Sequence, residues 1–228
     1  AVVRLWSNQG ISMTNSFRSL SKEGAGRARL SATVKLDAPG TQAVYEGDGN
    51  DNIITGSYSA DTINGNGGND TLYGSNGGDT INGGAGNDVI DGGYDNDVMT
   101  GSTGSDDFVF SARDYGDDRI TDFTVGTDKI DLSALYISDL EQLLPYMSDT
   151  AQGVLIDTWY SYSDESILLT GVTLAQLSAS DFVFDVDTNG RTINGSNRTD
   201  LIFGTLGNDV IHGGDYGDTI RAGAGNDV

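Results

Sequence analysis

An apolar residue recurs at a fixed interval along two stretches of the chain, mostly between more polar neighbours. Each apolar residue follows an aspartate by two positions. Three residues of which only the middle one is consistently apolar predict a short strand with one side chain directed inward. Six glycine-rich residues separate successive strands and predict a tight turn that accepts positive φ angles. The apolar residues are Ile63, Leu72, Ile81, Ile90, Met99 and Phe108, then Ile202, Ile211 and Ile220.

The aspartates that precede these strands are spaced nine residues apart. A sustained nine-residue period predicts a repeat architecture, in which two nonapeptides would complete one turn of a coil. An upstream phrase, EGDGNDNII, looks like a first turn, but the step from Asp51 to Asp61 is ten residues, which puts its register in doubt. The in-register aspartates are Asp61, Asp70, Asp79, Asp88, Asp97 and Asp106 in the first block, and Asp200, Asp209, Asp218 and Asp227 in the second.

Aspartates eighteen residues apart would stack on one side of such a coil. Carboxylates separated by one strand spacing of about 4.8 Å repel each other unless a cation lies between them. Carboxylate and backbone carbonyl oxygens suit a hard ion, and six or more flexible ligands suit calcium better than magnesium. For a single Gly-Asn-Asp phrase, an ordinary β-turn on a solvated acidic face would be the favoured interpretation. Ten copies in register favour the calcium interpretation.

The repeated phrase, seen in GGAGNDVID, resembles the RTX (repeats-in-toxin) calcium-binding β-rolls. The resemblance implies that each loop offers its aspartate and carbonyls of its glycine-rich residues to ions shared with neighbouring loops. It therefore adds glycines to the ten aspartates as candidate calcium ligands: Gly68, Gly77, Gly84, Gly86, Gly104, Gly207, Gly214 and Gly225.

Some loops depart from this pattern, and we expect weak or missing sites there. The fourth residue of the loop is glycine in the best-matching copies, but four loops carry another residue at that point. In addition, Arg191 stands where the loop before Asp200 would have an aspartate. The four substituted fourth positions are Ser59, Asp95, Arg198 and Tyr216.

We therefore predict an all-β fold: a parallel β-roll, a β-rich cap and the start of a second roll. Residues 1–44 would end an upstream β-domain or form an N-terminal cap, and 45–110 would form the first roll. Residues 111–185 would be the cap, with a short helix from Ser138, and 186–228 the truncated second roll. Aromatic side chains would help to cover the open end of the roll. These are Phe108, Phe110, Phe123, Trp159, Phe182 and Phe184.

Two phrases between the blocks carry further resemblances. DDRITDFTVGTDKIDLSAL, residues 117–135, resembles the segment after the repeats in serralysin-type proteases and in the R-modules of mannuronan C5-epimerases. LTGVTLAQLSASDFVF, residues 169–184, is similar to a phrase near the ends of proteins exported by type I secretion. These likenesses imply a secreted or cell-surface protein.

Composition excludes several classes of function. The net charge is −22, and residues 1–44 carry +4, so the remaining 184 residues carry −26. This charge argues against nucleic acid or an anionic membrane as a partner and favours cations. The chain has no cysteine for disulfides or thiolate metal sites, and no apolar run of the roughly 18 residues that a membrane span needs.

Catalysis finds little support in the sequence, so we predict a module that is not an enzyme. HExxH and G-x-S-x-G are absent. The one histidine, His212, falls at the last position of a strand, where a solvent-facing side chain is expected.

The leading hypothesis is a calcium-binding scaffold module that folds on calcium outside the cell, as part of a longer secreted bacterial protein. The chain begins without methionine or a Sec-type signal and stops partway through a repeat. A second hypothesis is a carbohydrate-binding module, for an alginate-like extracellular polysaccharide, attached to a polysaccharide-modifying enzyme. The clustered aromatics Trp159, Tyr160 and Tyr162 would then form a sugar platform. A third is a structural unit of an RTX adhesin or surface layer.

Overall fold

A computed structural model describes residues 42–111, 115–158 and 165–228. The expectations for residues 1–41 and for Trp159, Tyr160 and Tyr162 lie outside the described residues. The first roll contains eight short strands, separated by the predicted loops. They are β1 Val44–Glu46, β2 Ile53–Thr55, β3 Thr62–Gly67, β4 Thr71–Asn76, β5 Thr80–Ala85, β6 Val89–Tyr94, β7 Val98–Thr103 and β8 Asp107–Val109.

Alternate strands of the roll enter opposite sheets. β1, β3, β5 and β7 are consecutive neighbours in one sheet, and β2, β4, β6 and β8 are consecutive neighbours in the other. All these pairs are parallel and shifted by eighteen residues, so that Ile63 pairs with Ile81 and Leu72 with Ile90. Two nonapeptides therefore complete one turn, and the predicted all-β parallel roll is confirmed.

The middle residue of each repeat strand fills the space between the two sheets. In the first roll these side chains are buried, as the sequence predicts for the apolar residue two places after each aspartate. The core is thus one side chain thick on each sheet, which explains how a chain with 33 glycines can still bury a continuous apolar column. The column consists of Tyr45, Ile54, Ile63, Leu72, Ile81, Ile90, Met99 and Phe108.

Within its described residues, 115–158 and 165–185, the segment after the first roll adds six strands and little helix. Its α-helix, α1 at Leu140–Leu143, has Asp139 at the N-cap, where the carboxylate accepts the Gln142 N–H. Short 3₁₀ turns span Ser133–Leu135, Leu144–Tyr146, Leu174–Gln176 and Ala179–Asp181. The other elements are β9 Asp117–Ile120, β10 Lys129–Asp131, α1 Leu140–Leu143, β11 Met147–Asp149, β12 Gly153–Asp157, β13 Ser166–Thr170 and β14 Phe182–Val183.

These strands extend both sheets of the roll. β9 pairs in parallel with β7, and β13, β12 and β11 follow it, while β10 pairs in parallel with β8 and is followed by β14. The last pairings in the first sheet, β13 with β12 and β12 with β11, are antiparallel. Of the aromatic residues expected to cover the roll, Phe108, Phe110, Phe123 and Phe182 are buried. Phe184 is partly buried against the same core.

The second roll repeats the register of the first in two small sheets. Its strands are β15 Thr192–Asn194, β16 Leu201–Phe203, β17 Val210–His212 and β18 Thr219–Arg221. β15 pairs with β17 and β16 with β18, both in parallel with an eighteen-residue shift. Leu201 and Phe203 join the main core, where the Phe203 ring meets the Tyr146 ring edge-on. Ile220 is about half exposed, and His212 is exposed as expected.

In the upstream phrase EGDGNDNII, Asn52 and not Asp51 occupies the repeat position of the aspartates. Asn52 is buried, its N–H donates to the Asp70 carboxylate, and its own side-chain oxygen accepts from Asp48 N–H. It therefore takes the place of a repeat aspartate nine residues before Asp61. Ala43, buried one repeat earlier, donates its N–H to Asp61 in the same way.

No helix among residues 42–111, 115–158 and 165–228 is long and apolar enough to cross a membrane.

Candidate metal centre

The repeat aspartates form two rows, one along each edge where the loops stack. In each row, one carboxylate oxygen accepts the backbone N–H of the aspartate eighteen residues earlier. The N···O distance is 2.6 Å from Asp61 to Asp79 and 2.7 Å from Asp79 to Asp97. In the other row it is 2.8 Å from Asp70 to Asp88 and 2.9 Å from Asp88 to Asp106. Each aspartate thus ties its loop to the loop before it through Oδ1. We call these hydrogen bonds between stacked loops the ladder.

The glycine that begins every repeat loop except 222–227, where Ala222 stands, leaves room for the other carboxylate oxygen. A methyl group on Gly65 would lie 2.3 Å from Asp70 Oδ2 and 2.4 Å from the carbonyl oxygen of Gly83. Gly74 stands in the same relation to Asp79 Oδ2 and the Gly92 carbonyl, at 2.4 and 2.2 Å. Any larger residue would push the carboxylate or the backbone aside. Glycine therefore lets carboxylate and carbonyl oxygens converge beside the backbone.

The loops adopt two conformations. In seven of them, which we call left-handed loops, the second and fourth residues both have positive φ. Glycine enters this region freely, but Ser75 and Tyr216 are also held there, at φ 85° and 73°, which is strained for non-glycine residues. The left-handed loops are 65–70, 74–79, 83–88, 92–97, 101–106, 213–218 and 222–227.

In the other three repeat loops, which we call closed loops, neither residue has positive φ. Here the second residue of the loop donates hydrogen bonds to the aspartate of the same loop. The Ser57 N–H and hydroxyl donate to Asp61 Oδ2 at 2.7 and 2.8 Å, and the Thr205 N–H donates to Asp209 Oδ2 at 2.6 Å. The carboxylate of a closed loop is therefore already satisfied within the loop. The closed loops are 56–61, 195–200 and 204–209.

In four left-handed loops, by contrast, the second carboxylate oxygen is buried and has no hydrogen-bond partner. A buried acceptor without a donor is costly, and a buried carboxylate oxygen is among the most costly. These oxygens lie in consecutive loops at the centre of the roll. They are Oδ2 of Asp70, Asp79, Asp88 and Asp97.

The protonation behaviour of these groups reflects the same environment. Burial raises the pKa of Asp79 to about 8 and that of Asp97 to about 7. It also raises the pKa values of Asp70 and Asp106 to about 6. Neighbouring carboxylates add to the effect, as Asp88 does for Asp70, and the ladder N–H donors oppose it. Near neutral pH the fold therefore needs protons or a cation to hold these carboxylates.

The donors fit calcium. Among the residues that the structure describes, no group of three or more His, Cys, Asp or Glu side chains could hold a metal ion. A site here has instead to combine carboxylates of stacked loops with backbone carbonyls, an all-oxygen set on flexible loops. Such a set favours calcium over magnesium and over transition metals.

Comparison with protein families agrees with this chemistry. The description "RTX calcium-binding nonapeptide repeat (4 copies)" matches residues 46–81, 73–108 and 194–228. The chain carries RTX calcium-binding repeats. The matched residues include β2 to β7, β16 to β18 and every left-handed loop. A comparison with curated proteins gave no match.

Two solved RTX-type structures are similar to the chain. One is the AlgE6R3 subunit of the Azotobacter vinelandii mannuronan C5-epimerase, 27% identical over 60% of this chain and 80% of that one, with a TM-score of 0.26. The other is the AlgE6R2 subunit of the same epimerase, 29% identical over 65% of this chain and 95% of that one, with a TM-score of 0.29.

The predicted site residues fall into both loop classes. Seven of the ten aspartates belong to left-handed RTX loops, and Asp61, Asp200 and Asp209 belong to closed ones. Gly207, expected to mark a well-formed loop, lacks positive φ and sits in a closed loop. The other predicted glycines have positive φ, and calcium ligation by all of these residues stays a prediction. Those glycines are Gly68, Gly77, Gly84, Gly86, Gly104, Gly214 and Gly225.

The four loops whose fourth residue is not glycine divide between the two loop classes. Asp95 and Tyr216 take the left-handed conformation without being glycine, each at φ 73°. Ser59 and Arg198 do not, and their loops are closed. The identity of the fourth residue alone therefore does not decide the loop class.

Sequence reasoning missed three members of the rows. Asn52 starts one row, and Asp118 and Asp128 continue the two rows beyond the repeats. Asp118 accepts Asp97 N–H at 2.7 Å, and Asp128 accepts Asp106 N–H at 3.1 Å. Their separations from the preceding aspartates are 21 and 22 residues, so a search for a nine-residue period passes over them.

Arg191 replaces an aspartate at the start of the second roll. Its N–H keeps the ladder bond to Asp209, at 2.8 Å. Its guanidinium forms ion pairs with Asp185 and Asp187 at 3.2 and 2.9 Å and lies over the Tyr136 ring. A built-in cation thus neutralises carboxylates at this end of the roll.

Proposed function

We propose that this chain is a calcium-dependent folding and scaffold module of a secreted protein. The observation that carries the proposal is the run of buried, unpaired carboxylate oxygens in the central left-handed loops. Together with the RTX repeat match, it indicates that calcium completes the fold.

The physical basis is linkage between binding and folding. Without calcium, residues 45–228 carry a charge of −26, and folding has to bury several of these carboxylates without compensation. Because calcium binds the folded chain and not the unfolded one, the stability of the fold rises with the logarithm of the calcium concentration above the dissociation constant. At the submicromolar calcium of a cell interior the chain would stay unfolded, and at the millimolar calcium outside it would fold.

The cap supports the scaffold part of the proposal. An isolated roll would expose an unpaired strand edge after β7 and β8, and such edges invite association with other chains. The cap strands β9 and β10 pair with these edges. Lys129, on β10, donates to the Ser180 carbonyl and so ties this strand to the segment before β14. The roll thereby becomes a self-contained unit that suits a role between other domains.

The test is refolding from a metal-free state, followed by circular dichroism. Chelator should abolish most of the β signal, calcium should restore it, and magnesium at equal concentration should not. A chain that keeps its full β signal in excess chelator would refute calcium-dependent folding.

Two other interpretations, carbohydrate binding and a unit of an adhesin or surface layer, stay predictions. Titration with alginate and with a neutral glucan at millimolar calcium separates the first from a scaffold. Micromolar alginate binding that Trp159→Ala and Tyr160→Ala abolish would favour the carbohydrate-binding hypothesis.

A further inference from the structure

One row of the ladder continues past the RTX repeats into the cap. Asp118, at the start of β9, accepts the Asp97 N–H through Oδ1 at 2.7 Å, the same distance that joins Asp79 to Asp97 within the repeats. Asp118 is 2% exposed, and its Oδ2 is buried without a hydrogen-bond partner. It therefore shares the feature that marks the central left-handed loops.

The backbone at Gly116 also matches the fourth position of the left-handed loops. Gly116, two residues before Asp118, has φ +88°, close to the +96° of Gly77 two residues before Asp79. A methyl group on Gly116 would meet the Asp95 carbonyl at 2.7 Å, much as one on Gly86 would meet the Gly68 carbonyl. Gly116 thus lies against loop 92–97 as the fourth residue of a further repeat loop would.

Asp118 lies among other carboxylates, whose negative charge a bound cation would offset. The carboxylates that add to its burial are those of Asp97, Asp91 and Asp117, and together with burial they raise its pKa to about 9. Among the residues that the structure describes, the charged groups that act most strongly on Asp118 are all acidic. The other cap aspartate of the ladder differs, because Asp128 Oδ2 accepts the Thr124 N–H at 2.7 Å, as in a closed loop.

We propose that Asp97 and Asp118 share a calcium ion outside the repeats, which fastens the cap to the first roll. This inference rests on the proposed calcium-dependent fold but goes beyond the repeat residues. The second cap aspartate, Asp128, ends its row without an ion.

The test compares Asp118→Asn with Asp128→Asn, and uses Asp97→Asn as the reference for loss of a repeat ligand. Asparagine keeps an oxygen that can accept the ladder N–H, so each change removes mainly the charge. Native mass spectrometry at millimolar calcium should find one ion fewer on Asp118→Asn than on the unmodified chain, and no loss on Asp128→Asn.

The two metal states give a second readout. In calcium, Asp118→Asn should lower the melting temperature because an ion is lost. In chelator at pH 8 it should raise the β signal, because folding no longer has to bury or protonate a carboxylate that is charged in the unfolded chain. A purely structural role would change both in the same direction and would overturn the inference.

A third readout works even if the asparagine variant folds poorly. Tyr115 is fully buried, and Asp118 acts on it electrostatically. Terbium, an oxygen-seeking stand-in for calcium, should show tyrosine-sensitised emission that Tyr115→Phe reduces. Unchanged emission would contradict a site at Asp118. If Asp118→Asn keeps all its ions while Asp97→Asn loses one, this inference is refuted and the proposed function is not. If the unmodified chain fails to bind calcium, the proposed function itself is refuted.

Discussion

Replacing Gly65 by alanine tests whether the first glycine of a loop makes room for a calcium ligand. The new methyl group would lie 2.3 Å from Asp70 Oδ2 and 2.4 Å from the Gly83 carbonyl oxygen. Ordinary contacts begin near 3.4 Å, so one or both oxygens must move by about 1 Å. Gly65 has no positive φ, so the change adds no backbone strain of its own.

The size of the effect follows from the cost of overpacking. Such substitutions cost about 1–3 kcal/mol, and about 1.4 kcal/mol corresponds to a tenfold change in an equilibrium constant. Because folding and binding are linked, we expect the overall calcium-binding constant to fall by about fivefold to 150-fold. Isothermal titration calorimetry of the metal-free chain measures this constant, and the melting temperature in calcium measures the accompanying loss of stability.

A matched control lies in the same loop. Alanine at Gly67 would meet its nearest atoms at 3.7 and 3.9 Å, which are ordinary contacts. Gly67→Ala should therefore bind calcium like the unmodified chain. Equal affinities for Gly65→Ala and Gly67→Ala would show that the space beside Asp70 is not part of a calcium site.

Three further predictions concern the rows and their ends. Asp88→Ala should lose more bound calcium than Asp61→Ala in equilibrium dialysis, because Asp61 Oδ2 is already held by Ser57; equal losses would contradict the two loop classes. In chelator, the β signal should rise as the pH is lowered from 9 to 5, because the raised pKa values of Asp79 and Asp97 make the folded chain bind protons that the unfolded chain does not. A flat or falling signal over that range would count against burial of these carboxylates. Arg191→Gln should speed hydrogen exchange in β15 without changing the number of bound ions, and an altered ion count would mean that Arg191 lies at a metal site.

The periodic part of the fold could be predicted from the sequence because its physics is local. One apolar residue per strand and a nine-residue period fix both the inward side chain and the eighteen-residue register, as Ile63 and Ile81 show. Asn52 was missed because Asp51, next to it, looked like the ligand. In the structure, burial of Ile54 sets the register instead.

The loop classes could not be predicted, because the same residue occurs in both. Ser57 closes its loop onto Asp61, whereas Ser75 adopts φ 85° in a left-handed loop. The second residue is serine in both loops, so its identity alone does not decide the conformation. Asp118 was missed for a related reason, since its place in the row depends on the pairing of β9 with β7 at a separation of 21 residues.

The most direct measurement is a crystal structure grown in millimolar calcium, with anomalous difference density used to locate the ions. Our account predicts peaks beside the carboxylates whose second oxygen is unpaired, from Asp70 through Asp97, and one between Asp97 and Asp118. It predicts none within the closed loops that end at Asp61 and Asp209. Peaks confined to the closed loops, or a calcium-free central roll that keeps the same fold, would contradict it.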